Sequence, residues 1–461
     1  MLTAISEFFE LLWGGPLFIF VVGVGLYFSC SLKFFQLTRL RFIFSNTLGT
    51  LFGKNKQDTS GEVTGKHSLK SVEVAATVLS GTLGAGSIAG VATAIAIGGP
   101  GAVFWMWIIA LLGMMTKMVE VTLALRFRTR GSNGEYYGGP MYYIKNGLGP
   151  KWAPLAGLYA VALLTLVTTD ACFVQTNTMA SVLEQVFSFP VMWTGIGIVL
   201  AGILVIFKGV KALGAFCTYA LPPIALCYLI GAGWVIVGNI SAVPSVFIDI
   251  IHYAFAPTPA VGGFVGSTII MAMSKGVSRG IFTNEAGMGT SATVHSTANV
   301  DYPFRQGMWG AVEVFIVSMI TCNFTAFAVL SSGMWSSADF EGIGIAFAAL
   351  STVWHPVAVK FLSLGTSLIL FTSYLGSFLK FRTSINYIFG EKGEKYLKWF
   401  FFIPPVIAVN LEIPVIWLMA DAAVGFLVIP NIIALILLRK EFKSEYQRFT
   451  ERNSQEKLQQ I

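Results

Sequence analysis

Residues Ser80–Gly90 read Ser-Gly-Thr-Leu-Gly-Ala-Gly-Ser-Ile-Ala-Gly and lie inside an apolar run that extends from Leu69 to Gly98. About 20 apolar residues are enough for a helix to cross a bilayer. Four glycines interrupt this stretch, and each destabilises a helix interior by about 0.8–1 kcal/mol relative to alanine. Backbone that leaves the helix at membrane depth must be enclosed by protein or line a cavity. The stretch therefore indicates either a broken helix beside a buried polar site or close helix packing through Gly86 and Gly90, which have GxxxG spacing.

A second stretch favours the broken helix. Residues Phe282–Gly289 read Phe-Thr-Asn-Glu-Ala-Gly-Met-Gly in a region that is otherwise apolar. Two glycine-interrupted spans at corresponding places in two halves are typical of a transporter site built from inverted repeats. The N-terminus of a half-helix carries about half a positive charge and attracts a carboxylate, whereas free carbonyls can hold a cation. A dinucleotide-binding loop is not indicated, because the spacing is not G-x-G-x-x-G.

Composition points to the membrane. Of the 461 residues, 55% are hydrophobic and 11% are charged, so we predict an all-α polytopic membrane protein. The net charge of +7 comes largely from basic residues in loops, as membrane topology requires, and does not indicate nucleic-acid binding. The five cysteines lack metal-ligand spacing and are interpreted as small core residues. We expect no cofactor other than a coupling ion.

The apolar runs predict eleven transmembrane helices: one leading helix and ten that divide five and five, with a broken helix first in each five. Basic residues follow the leading helix, which places the N-terminus outside and the C-terminus in the cytoplasm. Glu7 and Glu10 precede that helix, so it is not a cleavable signal. The predicted spans are Pro16–Leu32, Leu69–Gly98, Gly101–Phe127, Trp152–Phe187, Val191–Phe207, Gly214–Val237, Gly266–Ala298, Phe304–Ser332, Pro356–Ile388, Trp399–Leu411 and Val415–Leu438.

These spans define four units along the chain. Residues 1–68 hold the leading helix and a polar cytoplasmic loop at 53–66, and residues 69–238 hold the first five-helix repeat. Residues 239–438 hold the second repeat, with external connections expected at 239–263 and 335–354. Residues 439–461 form a cytoplasmic tail, helical or disordered.

Several charged residues fall inside predicted spans, where they are costly unless they face protein or water. Asp170 is interpreted either as a gate or amine partner, or as a buried acid satisfied by Thr168 and Thr169. Glu285 lies inside the second break and is the stronger candidate. Arg279 and Asp421 are interpreted either as an outer gate pair or as two separate structural residues. Lys117 and Glu120, three residues apart on one helix, are interpreted as a mutual pair. Lys380 is grouped with the basic residues at the inner end of its span.

Three motifs resemble the sodium:alanine/glycine symporter family. They are Gly98–Trp107 (Gly-Gly-Pro-Gly-Ala-Val-Phe-Trp-Met-Trp), Gly138–Ile144 (Gly-Gly-Pro-Met-Tyr-Tyr-Ile) and Gly280–Gly289, which contains Asn-Glu-Ala-Gly. The resemblance covers nearly the whole chain. It implies a fold like the sodium-coupled leucine transporter, preceded by one extra helix, and sodium-coupled uptake of a small neutral amino acid. The expected setting is the lipid of a bacterial or archaeal inner membrane, with a monomeric protein.

Carried over position by position, the resemblance implies a substrate site at the first break. Backbone N–H groups of Gly84, Ala85 and Gly86 would bind the substrate carboxylate, with Ser87 beside them. The resemblance further implies Gln175 as a substrate-facing residue, Phe282 as a pocket aromatic residue and Asn284 from the second break. For sodium it implies four oxygen donors: the hydroxyls of Thr372 and Ser373 and the carbonyls of Ser80 and Leu83.

The chain also departs from the family pattern. The family commonly has Thr-Gly-Asn at Ala85–Ser87, asparagine at Cys172, Ser-Ala-Pro at Thr290–Ala292 and tryptophan where Ser377 aligns. A pocket that loses a tryptophan gains volume. We therefore expect substrates such as alanine or glycine and also larger neutral amino acids such as serine or glutamine.

Three rival functions are open at this point. A proton-coupled symporter or exchanger on the same scaffold would titrate Asp170 or Glu285. An intramembrane hydrolase would use Ser291 and His295, four residues apart, although no G-x-S-x-G elbow accompanies them. A channel is disfavoured by the two broken helices and by the lack of a repeated filter motif.

The pocket size is testable at Ser377, which stands four residues after Ser373 and so shares its helix face. Ser377→Trp should narrow the accepted range towards alanine and glycine, because the indole fills the space of a larger side chain. Small ligands in a roomy pocket should lose only about 1–3 kcal/mol per missing group. Competition by unlabelled amino acids against a radiolabelled one, in both proteins, measures the range. A wild type that already rejects everything larger than alanine contradicts this pocket.

Overall fold

The computed structural model describes residues 12–458 except 14, 53–68, 133 and 338. The predicted loop at 53–66, the two glutamates before the leading helix and the end of the tail lie outside these residues. The described chain forms α1 Pro16–Ser31, α2 Phe35–Thr38, α3 Leu40–Ser45, α4 Gly49–Phe52, α5 Ser71–Thr82, α6 Val91–Gly98, α7 Gly101–Arg126, α8 Pro140–Leu148, α9 Ala153–Val167, α10 Gln175–Phe187, α11 Val191–Phe207, α12 Val210–Gly238, α13 Val243–His252, α14 Ile269–Asn284, α15 Thr290–His295, α16 Pro303–Val314, α17 Asn323–Ser331, α18 Ile343–Ser351, α19 Pro356–Leu397, α20 Pro404–Ala408, α21 Ile413–Leu437 and α22 Arg439–Leu458.

Turns of π-helix and 3₁₀-helix join several of these α-helices. π-helical turns cover Gly86–Gly90, Thr168–Val174 and Phe315–Cys322, and such turns occur frequently at functional sites. Single 3₁₀ turns cover Pro150–Trp152, Ile240–Ala242, Met334–Ser336 and Lys398–Phe402. Four two-residue strands pair at the ends of helices: β1 Leu69–Lys70 with β4 Ala298–Asn299 in parallel, and β2 Thr129–Arg130 with β3 Tyr136–Tyr137 in an antiparallel hairpin.

The first predicted break is confirmed. Helix α5 ends at Thr82, and the chain continues after Gly84–Ala85 in the π-helical turn and α6, at an angle of 49° to α5. Gly84 allows a close approach here, because a Cβ at this position would lie 2.5 Å from Oε1 of Gln175 and 2.6 Å from Oγ of Ser373. The glycine pattern therefore reflects a broken helix and not only helix packing.

The second predicted break is also confirmed, between α14 and α15. Three of its residues have left-handed backbone: Glu285 at φ 56°, Gly287 at φ 90° and Gly289 at φ 72°. Glycine adopts this conformation without a steric penalty, whereas glutamate does so only when its surroundings hold it there.

The long helices enclose both breaks. Helix α7 packs against α14 and α16, and α9 packs against α19 and α21, while α12 packs against α5 and α19. By length and hydropathy, six helices of the described chain could cross a membrane, and a seventh span results if the bent halves of the first broken helix are counted together. Shorter apolar helices occur at Pro16–Ser31, Val191–Phe207 and Ile240–His252. The chain is a multi-pass helical membrane protein, and the count of eleven spans stays a prediction.

Two segments differ from the prediction. The stretch 239–263, which was predicted to be an external connection, contains a helix, α13, which packs against α7. The span predicted at Trp399–Leu411 is not a regular helix, because Gly390 at φ 69° kinks α19 and the chain then forms a 3₁₀ turn and the five-residue α20. Glycine and the Pro404-Pro405 pair explain these interruptions.

The tail helix α22 is docked on the helix ends. Phe442 packs edge-to-face on Phe28, and Phe304 contacts both Phe442 and Phe449. Arg126 at the end of α7 forms ion pairs with Glu441 and Glu445. The tail is therefore a packed helix over its described residues and not a disordered end.

Candidate functional site

Gln175 lies against the first break. Its Oε1 accepts a hydrogen bond of 2.8 Å from the backbone N–H of Ala85, and its Nε2 donates to Oδ1 of Asp170 at 2.9 Å. The side-chain amide thus occupies the N–H group at which a carboxylate was predicted to bind. Thr168 and Thr169 do not satisfy Asp170, contrary to that expectation, because their hydroxyls donate to backbone carbonyls of α9.

The other predicted substrate residues of the first break are gathered beside Gln175. The Ser87 hydroxyl donates to the carbonyl of Gly84 at 3.0 Å, and the Ser87 carbonyl accepts from Thr325 at 2.9 Å. Phe282 lies against Gly86, where a Cβ would be 3.2 Å from its ring. The spacing of the two breaks could not reveal Thr325, because it lies in α17, far from either motif.

Ser373 reaches the first break from α19. Its hydroxyl donates to the carbonyl of Gly81 at 2.8 Å, whereas the Thr372 hydroxyl donates to Ile369 in its own helix at 2.8 Å. Ser80 lies beside Gly376 of α19, and Leu83 is the first residue after α5, with non-helical ψ of 79°. The structure thus brings α19 to the predicted sodium carbonyls and adds the carbonyl of Gly81. Ser377 is buried one turn further along α19.

A buried lysine joins the two breaks. Lys380 forms an ion pair with Glu285, which also accepts a hydrogen bond from the Thr290 hydroxyl. A Cβ on Gly81 would lie 3.8 Å from Nζ of Lys380. The placement of Lys380 among the basic residues of the inner membrane surface is therefore wrong, since its side chain is only 4% exposed. Its position seven residues after Ser373, on the same helix face, is the sequence signal that could have found it.

The backbone of the second break is held by side chains from three helices, α7, α9 and α21. Lys117 donates to the carbonyl of Asn284 at 2.8 Å, and the N–H of Gly287 donates to Oε1 of Glu120 at 2.9 Å. Asn431 donates to the carbonyl of Gly287 at 2.8 Å, and the Tyr159 hydroxyl donates to that of Met288 at 2.7 Å. These bonds satisfy backbone groups that lipid could not.

The structure corrects one expectation at the second break and shows the contacts of two further candidates. The Asn284 amide donates to Ser318 and accepts from the N–H of Ala286, and its contact with the substrate stays a prediction. Lys117 pairs with Glu313 at 3.1 Å and not with Glu120. His295 contacts Glu313 at 3.3 Å and Gln306 at 2.9 Å, so it forms no dyad with Ser291 among the described contacts.

Arg279 and Asp421 form an ion pair above the first break. Two hydrogen bonds of 2.5 and 3.1 Å join the guanidinium to the carboxylate, which also accepts from Ser278 at 3.0 Å. The guanidinium carbon lies 4.2 Å from the ring centre of Trp417, and that ring lies 5.1 Å from the ring of Phe282. Arg279 and Asp421 are therefore paired in the structure and are not two separate structural residues.

A cleft leads towards this ion pair and the break. Its walls include Ala89 from the π-helical turn, Val174 beside Gln175, and Trp417. Glu341, which is exposed, and Gln185 also line the cleft. The cleft therefore lies beside the π-helical turn that follows the first break.

Two interrupted helices enclosed with buried charges in a helical membrane protein are typical of a membrane transporter. The chain belongs to the sodium:alanine symporter family, whose model matches residues 1–461. The chain is 37% identical to the uncharacterized transporter YflA of Bacillus subtilis, with 97% of this chain and 93% of that protein covered.

Two further relatives from Bacillus subtilis carry functional names. The putative sodium/proton-dependent alanine carrier protein YrbD is 33% identical, covering 95% of this chain and 90% of that protein. The probable sodium/glutamine symporter GlnT is 32% identical, covering 94% and 87%. The protein is thus a transporter of a family of amino acid symporters and not an enzyme.

The ion pair makes a quantitative prediction. Arg279→Ala and Asp421→Ala should each reduce transport, and the double variant should lose less than the sum, because the second substitution removes a charge that has already lost its partner. Coupling of about 0.5–3 kcal/mol is expected for groups in one ion pair. Initial uptake rates of the four proteins measure it.

A matched control combines Arg279→Ala with Glu441→Ala. Glu441 lies in the tail helix α22 and pairs with Arg126 at the end of α7, so it belongs to a different ion pair. That combination should be additive. Additive losses for Arg279 and Asp421 as well would contradict an energetic link between them.

Proposed function

We propose that this protein is a secondary active transporter that couples sodium to the uptake of a small neutral amino acid by alternating access. The observation that carries the proposal is the hydrogen bond between Oε1 of Gln175 and the N–H of Ala85. A carbonyl oxygen that accepts from a half-helix N-terminus stands where a substrate carboxylate oxygen would sit.

Substrate binding would exchange one acceptor for another. The carboxylate takes the N–H groups of Ala85 and Gly86, because those of Gly84 and Ser87 already donate to the carbonyls of Thr82 and Gly84, and the Gln175 amide turns away. Its Nε2 then no longer engages Asp170, which is free to face the substrate ammonium group. Phe282 covers the side chain of the substrate, and Ser377 leaves room for groups larger than methyl. The names of YrbD and GlnT mention alanine and glutamine, which is consistent with such a range.

Sodium would bind where α19 meets the first break. The hydroxyls of Ser373 and Thr372 and the carbonyls of Ser80, Gly81 and Leu83 supply the hard oxygen ligands that such a cation prefers. The Ser373 hydroxyl now donates to Gly81, so a bound ion would take over both oxygens. No nitrogen or sulfur donor is required.

The alternating movement is proposed to use two inverted five-helix repeats, after one leading helix. The packing supports this: α9 of the first half contacts α21 at the end of the second, and α19 of the second half contacts α12 at the end of the first. Arg279 and Asp421 would form the outer gate. The N-terminus would lie outside and the C-terminus in the cytoplasm of a bacterial or archaeal cell, with the protein acting as a monomer.

Uptake into proteoliposomes tests the coupling ion. Radiolabelled L-alanine and L-glutamine should accumulate with an inward sodium gradient and should not accumulate when choline replaces sodium, at each of several pH values. Accumulation in choline that follows a pH gradient would instead establish the proton-coupled alternative.

The sodium ligands have their own test. Ser373→Ala should raise the sodium concentration for half-maximal uptake, because the ion loses one ligand. Ser363→Ala is the matched control, since it removes a buried hydroxyl that bonds to Val359 in the same helix. If Ser373→Ala and Thr372→Ala both keep the wild-type sodium dependence, the sodium site lies elsewhere.

A further inference from the structure

The buried charges around the two breaks do not balance. Lys117 and Lys380 face Glu313 and Glu285, while Asp170 bonds to Gln175. With neutral His295, two ammonium groups and these three carboxylates leave a net charge of −1. One further carboxylate, Glu120, belongs to the same region, and its ionisation would bring the net charge to −2. Buried charge without a partner is among the largest costs in a membrane protein.

Glu120 is held on one side only. Its Oε1 accepts hydrogen bonds from the N–H of Gly287 at 2.9 Å and from Nδ2 of Asn431 at 2.7 Å. Its Oε2 is buried and has no hydrogen-bond partner within the described residues, and the whole side chain is 0% exposed. Among those residues Glu120 forms no ion pair, because Lys117 on the same helix is engaged with Glu313 and the carbonyl of Asn284.

Every element around Glu120 presents a group that matters for its ionisation. Lys117 on α7 favours the anion, whereas Glu313 on α16 and Glu285 in the break disfavour it. Tyr143 on α8 and Tyr159 on α9 are buried neutral phenols that donate elsewhere, to Asn431 and to the carbonyl of Met288. His295 on α15 is directed at Glu313 and Gln306. The surroundings therefore supply two carboxylates, Glu313 and Glu285, and the cations Lys117 and Lys380 that are already paired with them.

We propose that Glu120 is a proton-binding site of the transport cycle, separate from the sodium site. In the arrangement seen here one proton is bonded to Oε2, so the carboxylate becomes a neutral carboxylic acid and the net charge of the region stays at −1 instead of reaching −2. When α7 and α21 separate from the second break, the O–H bond breaks, the proton passes to water and the carboxylate is left hydrated. The inference rests on the proposed function only for the existence of such a movement.

The proton site predicts a pH dependence of uptake that the sodium ligands alone would not produce. Alkaline conditions remove the proton and disfavour the closed second break, so wild-type uptake driven by sodium should fall as the pH rises. Glu120→Gln keeps an Oε1 acceptor for Gly287 and Asn431 and is neutral at every pH. Uptake by the Glu120→Gln variant should therefore not decrease as the pH rises, and it should still require sodium.

Infrared spectroscopy of the purified protein tests the proton directly, without transport. The wild type near neutral pH should show a carboxylic acid C=O band that disappears in Glu120→Gln. The matched control is Glu394→Gln, which removes a buried carboxylate that is ion-paired with Arg382, leaves Lys117 engaged with Glu313, and should leave the band in place. Thermal unfolding of each variant confirms that it is folded.

The outcomes separate this inference from the proposed function. A wild type without the acid band, or a band that Glu120→Gln retains, overturns the proton site even if sodium drives uptake normally. A band that is lost in Glu120→Gln but kept in Glu394→Gln supports it, even if uptake proves not to need sodium. The wild-type spectrum alone, followed against pH, keeps the test decisive should a variant fail to fold.

Discussion

The backbone hydrogen bond is the constraint on which the rest of this structure depends. A helix that stops inside a membrane leaves N–H and C=O groups that lipid cannot satisfy, and this chain stops two helices there. At each break, other helices must therefore supply polar side chains. The buried charges, the packing of α7, α9 and α19 around the breaks and the membrane-transport function follow from that demand.

The two breaks meet the demand in different ways. The second break is bound by four side chains from three helices: Lys117 and Glu120 from α7, Tyr159 from α9 and Asn431 from α21. It is a closed assembly. The first break is bound at Ala85 by a single neutral amide, that of Gln175. A neutral amide is replaced by a carboxylate more readily than a buried ion pair is broken. This difference separates a place for the substrate from a place that holds helices together.

Much of this organisation could be predicted from the sequence, because glycine in an apolar run has few explanations. Both breaks, most of the long helices and the positions of Gln175, Phe282 and Ser373 follow from such patterns and from family resemblance. The ion-pair partners of the buried charged residues could not be predicted from the sequence. Spacing along one helix suggested Lys117 with Glu120, whereas the structure pairs Lys117 with Glu313 on another helix. Lys380 and Glu120 were missed for the same reason: their partners are distant in the chain.

The central claim is that the first break binds the substrate carboxylate in place of the Gln175 amide. A structure determined by electron cryomicroscopy with sodium and a transported amino acid bound tests it most directly. The account predicts density for the carboxylate within hydrogen-bond distance of the Ala85 N–H, with Oε1 of Gln175 turned away and the contacts of the second break unchanged. A ligand at the second break, or a Gln175 that still accepts from Ala85 with ligand bound, would contradict the account.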